Sequence, residues 1–199
     1  MPKGNAVGKV SKSLILLILA MVLFAVLAAV FYLLDKRFDN GVFFALFVTF
    51  LTVFYHFIMR LAVGEIITIL YAKKEFRYEA KWYRQSRFEK FVYKKIDLKK
   101  HKRNAITAKP WQFDINERTY EELLHNMTQA EVVHEIIMVL SFVPILFSFR
   151  FGALAVFVIT SVFACLIDMY FVMIQRFNRP RVLALKRKMD NAKKSAPLC

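Results

Sequence analysis

Residues 13–34 read SLILLILAMVLFAVLAAVFYLL, 22 residues from Ser13 to Leu34 without a formal charge. About 20 predominantly apolar residues suffice for one helix across a bilayer. The basic start before the run (Lys3, Lys9 and Lys12) also suits a signal peptide. The run is too long for the apolar core of one, however, and it ends at Asp35-Lys36 with no small-residue cleavage site. The reading is a retained span with a cytoplasmic N-terminus, and it sets the terms for everything downstream.

Working outward, Asp35 to Asn40 forms a short polar loop, and a second span covers 41–63 or, in a longer version, reaches 72. At 1.5 Å per residue the longer version is about 48 Å, beyond a hydrocarbon core of about 30 Å. It either tilts and protrudes or bends near Gly64 into the interface. A third span is expected over 129–149, kinked by Pro144, which cannot donate to a helical ladder. A fourth is expected over 151–175. Two Thr-x-x-Glu patterns, Thr119 with Glu122 and Thr128 with Glu131, fit capping boxes. They suggest a short interfacial helix over 120–126 and a new helix start near 129.

Charge supports this plan. The chain is 58% hydrophobic, yet it holds 30 Lys+Arg against 15 Asp+Glu, a formal +15. Soluble domains rarely combine these, whereas membrane proteins retain Lys and Arg on the cytoplasmic side. Residues 73–103 carry 13 Lys+Arg and 4 Asp+Glu, interleaved with Phe76, Tyr78, Trp82, Tyr83, Phe88, Phe91 and Tyr93. Such a segment reads as lying on an anionic membrane surface. Tethering between spans argues against nucleic acid as the partner. The tail 176–199 has eight Lys+Arg and one Asp, so it stays inside, with the segment 73–127 on the same side. The expected fold is an all-α integral membrane protein. It is one membrane domain, 1–199, of four transmembrane helices with a basic, aromatic-rich cytoplasmic segment between helices 2 and 3. Two cysteines, Cys165 in an apolar run and Cys199 at the end, make no disulfide framework.

The chemistry is concentrated where the third and fourth spans meet the cytoplasmic leaflet. Glu131-Val132-Val133-His134-Glu135 opens the third span with three ionisable groups, and Gln175-Arg176-Phe177-Asn178-Arg179-Pro180-Arg181 closes the fourth. A turn at Ser148–Gly152 makes the two spans an antiparallel hairpin, so residues equally distant from it lie at equal depth. That places His134 level with 166–168, and hence with Asp168, and Arg176 near His125. His56 and Arg60, four apart on the second span, share a face in the same leaflet.

A histidine oriented by a carboxylate, Asp168 or Glu135, can take a proton from an attacking hydroxyl. Arginines and an asparagine at a helix end can bind phosphates or steady an oxyanion. Plainer explanations stand beside each residue. Glu131 has a capping role available, and His134 could be a packing histidine. Glu135 or Asp168 could simply neutralise Arg60. Arg176, Arg179 and Arg181 suit positive-inside retention, and Pro180 a helix stop. His56 and Arg60 form a helix pair without an assigned role. There is no P-loop, no G-x-G-x-x-G, no nucleophile elbow, no CxxC and no HExxH, and no bound cofactor or metal site is implied.

The order Tyr83…Phe91-Val92-Tyr93-Lys94-Lys95, Glu131-Val132-Val133-His134 and IQRFNRPRV (Ile174 to Val182) resembles the CrtO-type glycosyl-4,4'-diaponeurosporenoate (glycosyl-carotenoid) acyltransferases. The resemblance covers roughly residues 75–185 and leaves the first two spans outside. It implies a small bacterial cell-membrane enzyme that esterifies a fatty acid onto the sugar of a glycosylated carotenoid. It implicates Glu131, His134, Gln175, Arg176, Asn178, Arg179 and Arg181 in the site. The resulting expectation is O-acyl transfer to a membrane-embedded sugar hydroxyl. The co-substrate is acyl-CoA or another acyl thioester, and the partners are an amphipathic acceptor and anionic lipid. An intramembrane methyltransferase or reductase, or a non-catalytic lipid-binding or scaffold protein, is the alternative on the residues alone.

Overall fold

The computed structural model describes residues 12–71, 78–96 and 118–195. The basic start through residue 11, residues 97–103 of the basic run, Phe76 and Cys199 lie outside them. Among the described residues every regular element is a helix, and there is no strand. Four helices are long and apolar enough to cross a membrane, so the protein is a multi-pass membrane protein.

Helix α1 spans Lys12–Phe38 and ends on Lys36 and Arg37. The polar loop expected at 35–40 shrinks to two residues, because the helix carries on to Phe38. Asp39 turns the chain with φ of 45°, and the Asn40 side chain accepts from the Val42 amide at 2.9 Å. Helix α2, Gly41–Tyr71, is continuous. Of the two possibilities beyond Gly64, the helix continues as far as Tyr71, and residue 72 lies outside the described residues. The α1–α2 seam is aromatic: Phe24 stacks on Phe50 and Phe57, and Phe31 on Phe50, at 5.4 to 6.1 Å between centroids. Much of the rest of α1 is exposed Leu and Val, including Leu16, Leu19, Val22 and Leu33. In a bilayer that face meets hydrocarbon, where apolar exposure carries no cost.

Inward, α2 buries Val48, Thr52, His56, Met59, Val63 and Ile67, spaced three and four apart on one stripe. Met59, Val63 and Ile67 pack on Ile137 of the helix that starts at Tyr120, supported by Tyr55, Val133, Ile136 and Leu140. The Tyr55 hydroxyl donates to the Leu140 carbonyl at 3.1 Å, serving an acceptor the ending helix leaves over.

A one-turn 3-10 helix at Lys81–Tyr83 and helix α3, Arg87–Ile96, come from the basic segment. Tyr93 of α3 is buried against Ile174, Tyr170, Met173 and Phe177 of the last helix. Described parts of the basic segment are thus docked on the helical bundle through their aromatics.

Helix α4 runs Tyr120–Leu140 in one piece, starting from a complete capping box at Thr119 and Glu122. The expected second start near 129 does not occur. Thr128 lies mid-helix and its hydroxyl donates to the Leu124 carbonyl at 2.8 Å, so it is unavailable as a cap. Glu131 therefore has no capping task. Pro144 ends the helix early rather than kinking it: α4 stops at Leu140, and Val143–Phe147 forms a 3-10 turn. Helix α5, Ser148–Phe151, and Gly152 at φ 65° complete the reversal. Helix α6 then runs 42 residues, Leu154–Ser195, with Pro180 inside it. The expected helix stop at Pro180 is not one.

Candidate functional site

Antiparallel packing of α4 on α6 brings the two polar stretches together. His134 Nδ1 lies 2.8 Å from Asp168 Oδ1, at the depth that equal helical rise demands. Asp168 is fully buried, while the His134 side chain is 23% exposed. The imidazole stacks nearly parallel on Phe171, at 4.8 Å and 12°. The other Asp168 oxygen is held by the Arg60 guanidinium from α2, which also donates to the Ala164 carbonyl at 3.3 Å. One buried carboxylate thus joins three helices, fixing the histidine on one side and an arginine on the other. A carboxylate accepting at Nδ1 selects the tautomer with its proton there and leaves Nε2 as a base.

Further from the Ser148–Gly152 turn, Arg176 forms a second cluster. Its Nε meets Glu131 at 2.7 Å, one terminal nitrogen meets Glu135 at 2.8 Å, and the other meets Glu89 of α3 at 2.6 Å. Arg179 supplies a second guanidinium to Glu131 at 2.6 Å. Glu131, 0% exposed, is therefore the centre of a buried ion-pair network, which a helix cap would not require. Equal depth alone puts Arg176 near His125, two turns further out. Its side chain is found at Glu131 and Glu135 because helical side chains lean toward their own helix's N-terminus, here back toward the turn.

Arg179 is also nearly buried. It donates to the Tyr83 carbonyl at 3.1 Å and lies over the Tyr83 ring at 4.7 Å. Burial and the Glu131 and Glu135 carboxylates push the Tyr83 phenol above its ordinary value. Four residues of the basic segment enter here without a motif to announce them. Trp82 Nε1 donates to Glu135, Gln85 to the Arg176 carbonyl, Tyr83 carries Arg179, and Glu89 pairs with Arg176. The available signal was compositional: Glu89 is one of few acids in a strongly basic run.

Of the remaining expected site residues, His56 reaches these clusters through its main-chain carbonyl, which accepts from the Arg60 guanidinium at 3.1 Å. His56 is buried beside Arg60 and edge-on to Tyr55, but neither ring nitrogen makes a hydrogen bond, so it does not share in the His134–Asp168 pair. Arg181 is exposed and stacks over Phe177 at 4.5 Å. Asn178 has a buried Oδ1 with no partner, and Gln175 is half-buried. Beside Arg179 lies an open cleft of about 450 Å³, lined by Tyr78, Arg84, Lys90, Pro180 and Arg187 among others. No three His, Cys, Asp or Glu side chains among the described residues are grouped to hold a metal ion.

Residues 68–188, more than half of the chain, match the family model CrtO, described as glycosyl-4,4'-diaponeurosporenoate acyltransferase. The chain belongs to this family. It is an acyltransferase by that membership. The matched range contains both clusters except for Arg60, and it leaves α1 and nearly all of α2 outside. In this CrtO-family chain the Asp168 carboxylate is thus completed by an arginine from beyond the matched residues. No curated protein and no solved structure matches the chain.

Proposed function

We propose that the protein transfers a fatty acyl group from a thioester, such as acyl-CoA, to a sugar hydroxyl of a membrane-embedded glycolipid or glycosyl-carotenoid. The observation that carries this reading is the His134–Asp168 contact at 2.8 Å, with a partly exposed imidazole and a fully buried carboxylate.

His134 Nε2 takes the proton of the acceptor hydroxyl as its oxygen attacks the thioester carbonyl. The tetrahedral intermediate collapses with loss of the thiolate, which receives that proton from Nε2, and an ester remains. Asp168 stabilises the imidazolium formed in between, and Arg60 holds the other Asp168 oxygen in place. Both charges on that pair are needed, because an uncompensated buried ion is costly. The Arg176 network has a different part: it ties α3, α4 and α6 together just cytoplasmic of the base.

The orientation that suits this chemistry places both chain ends and the 73–127 segment in the cytoplasm, following Lys and Arg retention. The acceptor then arrives within the inner leaflet, the donor from the cytosol, and the basic segment rests against anionic lipid. Lipid mass spectrometry of a host making glycosylated carotenoid or glycolipid tests the reading. Expression should yield a product heavier by one fatty acyl group, and an unchanged lipid profile would contradict it.

A further inference from the structure

The cleft beside Arg179 has a composition that the acid–base pair does not use. Four cations line it, Arg84, Lys90, Arg179 and Arg187, against one carboxylate, Glu79. Glu79 lies 3.7 Å from Arg187, and both side chains are largely exposed. Arg179 is 2% exposed, and its buried Nε has no hydrogen-bond partner. Its other nitrogens are held by Glu131, the Thr128 hydroxyl and the Tyr83 carbonyl. A buried guanidinium held rigidly on one side and lining a cleft with three further cations is a built anion site. Exposed surface lysines alone would not be. Tyr78 and Tyr83 add aromatic walls.

We infer that this cleft binds the phosphate groups of a phosphate-bearing ligand, and that in the reaction the ligand is the acyl donor. The second half rests on the acyl-transfer reading; the first does not. Arg179 is eleven residues beyond Asp168 on α6, about 16 Å further toward the helix end. The donor's phosphates would occupy the cleft while its thioester reaches inward to His134. The sequence suggests Arg179, Arg181 and the 73–103 segment for this task; Arg179 lines the cleft, while Arg181 is turned onto Phe177 instead. The phosphate surface is therefore assembled from the basic segment and the cytoplasmic part of α6, with Pro180 among its walls.

The test uses the full-length protein in neutral nanodiscs and the triple variant Arg84→Ala, Lys90→Ala, Arg187→Ala. These three side chains lie outside the Glu131 network. Binding is measured for coenzyme A, for inorganic pyrophosphate, and for nanodiscs containing phosphatidylglycerol. Loss of coenzyme A and pyrophosphate affinity by about tenfold or more is expected from removing charge-assisted contacts. That affinity should also fall with added salt. Loss confined to phosphatidylglycerol would keep the phosphate site and identify a lipid headgroup as its source, overturning the donor assignment. Native affinity for all three would overturn the site itself. Binding is read without turnover, so a protein that binds coenzyme A in the cleft yet transfers no acyl group contradicts the proposed activity and not this site.

Discussion

Gln85 donates from Nε2 to the backbone carbonyl of Arg176 at 2.9 Å. That carbonyl would ordinarily accept from the amide four residues on, but residue 180 is proline and has none. A residue from the basic segment thus supplies the hydrogen bond that a proline inside α6 leaves unmade. Pro180, which reads as a helix stop in sequence, works here as an opening in the ladder to which a neighbouring segment attaches.

A double-mutant cycle follows from this. Gln85→Ala should cost about 1 kcal/mol and raise hydrogen exchange across 78–96. In a Pro180→Ala background, where an amide is restored, the same substitution should cost close to nothing. Equal costs in both backgrounds would mean the side chain is held there for another reason.

Glu131 distinguishes a cap from a buried ion pair. Loss of a cap costs about 1 kcal/mol, as expected for Thr119→Ala. Breaking a buried pair leaves uncompensated charge and costs about 3–5 kcal/mol. Glu131→Ala should therefore be the more damaging by several-fold in free energy, read from denaturant titrations in micelles.

Arg60→Ala should likewise destabilise by about 3–5 kcal/mol, since Asp168 would be buried without its cation. Arg60→Lys should recover part of that. A fully stable Arg60→Ala protein would show that the buried carboxylate has found other compensation.

Docking of α3 should weaken in acid. Burial raises the Glu89 carboxyl, but the Ser86 amide and the Arg176 guanidinium outweigh it and hold the group below its ordinary 4.5. A depressed carboxyl contributes stability above its unfolded value and loses it as pH falls through the folded value. The window therefore lies below 4.5. Trp82 fluorescence, in a chain with Trp111→Phe, should report release there. In Glu89→Gln the change in that window should shrink, with the segment already looser at neutral pH.

The spans and the His134–Asp168 register are legible in the sequence because both follow from local rules. Charge-free runs mark the helices, and equal rise either side of Gly152 pairs the depths. What sequence does not reveal is long-range. Thr128 satisfies a capping pattern as well as Thr119 does, and only the continuing helix before it removes the option. Nothing local marks Trp82 or Gln85, because their partners lie 53 and 91 residues away, and Glu89 stands out only as an acid in a basic run. Arg176 is misplaced by a depth argument that follows backbones and neglects the lean of a long side chain.

The central claim is that His134 is the base, and its most direct measurement is acyl transfer by His134→Gln in membranes. Thermal stability and insertion should match the native protein, while turnover should fall by about 10²–10⁴-fold, the usual contribution of a positioned base. Native turnover in a correctly inserted His134→Gln protein would contradict the account.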